Sequence, residues 1–139
     1  MDDYICRGKR LSDGQYIEGY LIKLGKESFS DPDRFGICEK ALPVGGSSVC
    51  YNLRIDEVDA NSIGRFIGKN DKNGKKIFTG DYVKCVNYHG EVKGIVELYN
   101  AAFFLVCMSG HSDEYLFNCK DFEVLGVAAE MPELLEDDE

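Results

Sequence analysis

Turn signals recur so closely along the second half of this chain that only short strands fit between them. Asn73-Gly74, Thr79-Gly80-Asp81, His89-Gly90 and Ser109-Gly110-His111 each place glycine beside small polar residues where a backbone can reverse. Between and beyond them lie residues 82–87, 92–99, 103–108, 115–117 and 122–127, rich in aromatic and β-branched side chains. Five short strands at this spacing predict a small SH3-like β-barrel. Its expected core is Val83, Cys85, Val92, Ile95, Val96, Phe104, Val106, Val124 and Leu125.

The first half carries the same grammar less densely. Residues 4–10 and 16–22 flank Ser12-Asp13-Gly14-Gln15, which predicts a hairpin closed by the positive φ that glycine supplies. Between Gly25 and Gly46 the pattern fades, and Phe35-Gly36-Ile37-Cys38 is the one short strand expected there. Residues 48–55 alternate apolar with polar, as a half-buried strand does, and Asp59 is placed to cap one helical turn that has Ile63 on its apolar side. The fold class expected is mainly β with little helix. An N-terminal β-hairpin region spans residues 1–64, the barrel 65–129 and an acidic tail 130–139, expected to form one compact unit overall.

Composition narrows the class further. An apolar share of 44%, with eight Phe and eight Tyr, supports a real core and excludes disorder. The net charge of −9 is uneven: residues 130–139 hold six acids and no bases, which leaves 19 acids against 16 Lys and Arg in the rest. Such a tail reads as solubilising. No apolar run reaches the roughly 18–20 residues of a membrane span, and the acidic start Met1-Asp2-Asp3 is unlike a signal peptide, so the expected location is the cytoplasm. Cys6, Cys38, Cys50, Cys85, Cys107 and Cys119 form no C-x-x-C pair; they read as free thiols buried on strands, with no metal and no cofactor expected.

Candidate chemistry is sparse. His89 and His111 each neighbour a glycine in a predicted turn, and Ser47, Ser48 and Ser109 lack a nucleophile-elbow context. Gly45-Gly46-Ser47-Ser48 lacks the spacing and the lysine of a phosphate-binding loop. Asp81 after Gly80 reads as a turn residue bonding nearby backbone N–H groups. No enzyme is expected. The candidate binding surface is the basic hairpin, where Arg65, Lys69, Lys72, Lys75, Lys76 and Lys84 surround Asn73-Gly74 with Phe66, Phe78 and Tyr82 nearby. Cations interleaved with aromatic rings are the pattern that grips phosphates and stacks bases. The same lysines also serve solubility at a hairpin tip, diluted by Asp71 and Asp81.

Set side by side, several pieces resemble the YopX family, small proteins of bacteriophages and prophages. They are Arg7-Gly8-Lys9-Arg10, Asp13-Gly14 and Gly19-Tyr20-Leu21-Ile22 near the start. The centre contributes Gly68, Asp71-Lys72-Asn73-Gly74-Lys75-Lys76-Ile77 and Gly80-Asp81-Tyr82-Val83; the end contributes Phe122-Glu123-Val124-Leu125-Gly126 and Pro132-Glu133-Leu134-Leu135. The resemblance implies a phage or prophage accessory protein and brings no active site with it. The function expected is binding, to a protein partner or to further copies of the chain as a homo-oligomer. The alternative is a nucleic-acid-binding barrel that uses the basic hairpin.

Overall fold

The computed structural model describes residues 4–43, 51–88, 90–99, 101–107 and 113–132, with the backbone alone at 40–43 and 51–52. His89, His111, Cys50, the Gly45-Gly46-Ser47-Ser48 run and most of the acidic tail lie outside the described residues. The chain divides between Arg65 and Phe66 into two compact units.

In the first unit, β1 (Ile5–Lys9) and β2 (Tyr16–Leu24) form the expected hairpin, with Ile5 opposite Tyr20 and Lys9 opposite Tyr16. Gly14 turns the chain at φ +73° while its N–H donates to the Arg10 carbonyl at 2.8 Å. Asp13 braces the turn by accepting from the Arg10 guanidinium at 3.0 and 2.9 Å and from the Gln15 N–H at 3.0 Å. The chain then continues antiparallel through β3 (Arg34–Pro43) and β4 (Tyr51–Val58). Strand β3 is much longer than the four residues expected, because pairing on both sides supplies what local propensity lacks. Asp59 does cap a single 3-10 turn, Ala60–Ser62, accepting from the Asn61 N–H at 3.0 Å. The opening of β5 (Gly64–Asn70) extends this sheet beyond β1 by pairing Arg65 with Cys6 and Gly64 with Arg7. A small core of Ile17, Ile37 and Val58, flanked by Phe35 and Ile63, lies beneath it.

The second unit holds the rest of β5, paired with β6 (Lys76–Phe78) across the Asn73-Gly74 turn, where Gly74 has φ +82°. Its main sheet has the order β10-β9-β8-β7-β11, built from β7 (Asp81–Asn87), β8 (Gly90–Tyr99), β9 (Ala102–Cys107), β10 (Glu114–Tyr115) and β11 (Lys120–Val127). Strands β10 and β11 are its two edges, so the sheet is open. The expected SH3-like barrel over residues 65–129 is thereby corrected: its five expected strands form an open antiparallel sheet that does not close. Part of the reason is local, since the expected strand at 115–117 is only a two-residue strand that tightens into the 3-10 turn Leu116–Asn118. Two residues cannot carry a closing ladder.

The core of this unit is Ile77, Val83, Cys85, Val92, Val96, Leu105, Leu116, Cys119 and Phe122. Four of the expected core residues are there, Val83, Cys85, Val92 and Val96. Ile95, Phe104, Val106 and Val124 are only half-buried, and Leu125 is exposed. On β9 the reading is out by one residue: Leu105 is fully buried and points opposite to its neighbours Phe104 and Val106. The continuous apolar run of β9 has no polar residue to mark which face is inward.

No disulfide joins the described cysteines, and four of them, Cys6, Cys38, Cys85 and Cys107, lie on strands. Burial pushes the Cys85 thiol well above the usual cysteine range and raises that of Cys119. No helix among the described residues is long and apolar enough to cross a membrane.

Candidate interaction site

The basic hairpin is organised by an acid. Asp71 is buried; its Oδ1 accepts from the N–H groups of Asn73 at 2.9 Å and Lys75 at 2.8 Å, and its Oδ2 accepts from the Val124 N–H at 3.0 Å. Burial works against its ionisation, but the three backbone donors outweigh that and hold the carboxyl below its ordinary pKa. The turn is thereby pinned to β11, and the Lys72 N–H adds a bond to the Phe122 carbonyl at 2.9 Å.

The same pinning engages the lysines. Lys72 and Lys84 converge on Glu123, at 3.3 and 3.5 Å, and lower its pKa. Lys69 places its ammonium 5.0 Å from the centre of the Phe122 ring. Lys75 is exposed and Lys76 half-buried, while Arg65 belongs to the first unit. Of the rings expected beside them, Phe66 and Phe78 pack together in the interior at 5.7 Å between centroids, and Tyr82 is half-buried. Neither Phe ring presents a face to solvent for a base to stack on. Asp81 behaves as a turn residue: fully buried, it accepts the Phe78 N–H at 2.8 Å.

A different surface gathers aromatic side chains in the open. Pairing sets Phe104 of β9 beside Tyr115 of β10 and Glu97 of β8, with Tyr99 on the same face. Tyr99 and Phe104 stack at 4.3 Å and an interplanar angle of 3°. Phe104 and Tyr115 follow at 4.5 Å, then Tyr115 and Phe117 at 5.1 Å. The four rings make a continuous row, and Phe117 at its end is 81% exposed. Asp113 fixes the other end, accepting from the Tyr99 hydroxyl at 3.2 Å and the Cys107 N–H at 3.3 Å. Burial and the Asp113 carboxylate push the Tyr99 phenol up, and burial raises the Glu97 carboxyl. Sequence reasoning missed this row because it consigned Phe104 to the core. The signal was present in the run Phe103-Phe104-Leu105-Val106: a strand apolar on both faces has one face to spare.

Among the described residues, no group of three or more His, Cys, Asp or Glu side chains is placed to hold a metal ion. Geometry defines the chain as a two-unit protein of antiparallel sheets with an aromatic surface row on its second unit. The chain belongs to the YopX family, whose model, described as YopX protein, matches residues 38–136. Among curated proteins none matches it.

Proposed function

We propose that this YopX-family chain is a non-catalytic phage or prophage accessory protein that works in the bacterial cytoplasm by binding protein, with a second copy of itself as the partner. The observation that carries this reading is the exposed row Tyr99, Phe104, Tyr115 and Phe117. Stacked aromatic rings give large contact area at low entropic cost and are enriched where proteins meet. A row of this kind can meet its own image across a two-fold axis. The carboxylates of Glu97 and Asp113 beside it disfavour a phosphate backbone as occupant, and the lysines engaged by Glu123 and Phe122 weaken the nucleic-acid alternative on the hairpin.

Light scattering on the purified chain tests this. The expected result is a mass above that of one chain, unchanged by short duplex DNA at low salt. In the double variant Tyr99→Asp, Phe117→Asp, self-affinity should fall about tenfold or more, toward the single-chain mass. A wild-type chain that stays single, or an oligomer indifferent to the double variant, overturns the reading. A DNA complex that dissolves with salt and is lost in Lys72→Glu, Lys75→Glu, Lys76→Glu replaces it with the hairpin alternative.

A further inference from the structure

Next to the aromatic row, on the inward side of β9, the second unit has a cavity of about 440 Å³ lined by Ile67, Lys69, Phe103, Leu116, Phe117 and Phe122, with Ala102, Tyr115 and Cys119 completing the wall. Pockets that hold small molecules fall in this size range and share this make-up, mostly apolar and aromatic with few polar groups that fix orientation. Lys69 is the one charged residue among the described residues that line it. Its neighbours Lys72 and Lys84 are engaged by Glu123, whereas Lys69 enters no ion pair among the described residues and rests over the Phe122 ring. A cation held over a ring keeps N–H donors for an anion.

We propose that this cavity is a binding site for a small aromatic monoanion, its ring system against the apolar part of the lining and its single carboxylate or sulfonate on the Lys69 ammonium. One cation in a mostly apolar lining matches one negative charge on a mostly apolar ligand. The site shares Tyr115 and Phe117 with the aromatic row but goes beyond the self-association reading, because Lys69, which receives the charge, lies outside the row.

Two fluorescent probes with related ring systems test the charge match: anilinonaphthalenesulfonate, an anion, and phenylnaphthylamine, which is neutral. The wild-type chain should bind the sulfonate saturably, one per chain. Lys69→Glu should weaken that binding about tenfold or more while leaving the neutral amine within about twofold. Lys75→Glu, a charge change of the same size on the neighbouring hairpin, should leave both probes as in the wild type, and Lys69→Glu should leave the light-scattering mass unchanged. Absence of saturable sulfonate binding overturns the proposal. So does equal loss of both probes in Lys69→Glu, which marks a collapsed cavity, or a loss reproduced by Lys75→Glu, which marks a diffuse field.

Discussion

Asp71→Ala is expected to cost the second unit about 3–5 kcal/mol, because it strips the acceptor from three backbone N–H groups in one step. Those of Asn73 and Lys75 hold the hairpin turn in shape, and that of Val124 ties the turn to β11 across 53 residues of sequence. Asp71→Asn should cost less, about 1–2 kcal/mol, since its amide oxygen can still serve the Asn73 and Lys75 N–H groups while its NH₂ must face the Val124 donor. The sign of the pH dependence follows. The folded-state pKa lies below the unfolded value, so the carboxylate contributes fully above about pH 4, and its contribution fades as pH falls toward the folded pKa. Stability of the wild type should therefore drop more steeply with acid than that of Asp71→Asn. Hydrogen exchange at the Val124 amide, read with and without the substitution, is the direct measurement. Unchanged protection in Asp71→Ala would show that the turn does not depend on this carboxylate.

Gly94→Ala is expected to cost about 3 kcal/mol, at the upper end of what overpacking costs. Gly94 lies on β8, in the centre of the second sheet. A Cβ there would stand 2.5 Å from the Val106 carbonyl oxygen and 2.9 Å from the Leu105 side chain. The oxygen belongs to the neighbouring strand's backbone and cannot turn aside, so relief requires β8 and β9 to separate. The matched control is Gly25→Ala, where nothing lies within 4 Å of the added carbon, and which should stay within about 0.5 kcal/mol of the wild type. Denaturant unfolding followed by circular dichroism reads both. Equal stabilities would mean that the sheet relaxes around the methyl group.

Much of the local structure was legible. Gly14, Gly74 and Gly80 sit at φ +73°, +82° and +89°, and each follows a polar residue in a run whose flanks favour extended backbone. Turn chemistry is a short-range property, so the hairpins could be read from a handful of residues. Asp59 as a cap and Asp81 as a turn acceptor were readable for the same reason. Barrel closure was not, because it depends on whether β10 and β11 meet, and nothing in either segment encodes the other. The inward face of β9 was illegible because both its faces are apolar. The basic cluster was visible as composition, but its engagement by Glu123 comes from β11, some fifty residues beyond Lys72. The aromatic row exists only once Phe104 and Tyr115 are paired. Alternation marks a face where one side is polar, and this surface offers no such contrast.

The interior thiol Cys85 turns the second unit into its own stopwatch. Cys85 is buried, and burial holds it protonated at neutral pH, so an alkylating reagent, which consumes thiolate, finds no partner while the sheet is intact. Labelling at Cys85 should then proceed only through opening events. Its rate should follow the population of opened molecules and rise in Asp71→Ala in proportion to the stability lost. Labelling of Cys85 in the wild type at the rate of an unfolded peptide would show that this interior exchanges freely with solvent.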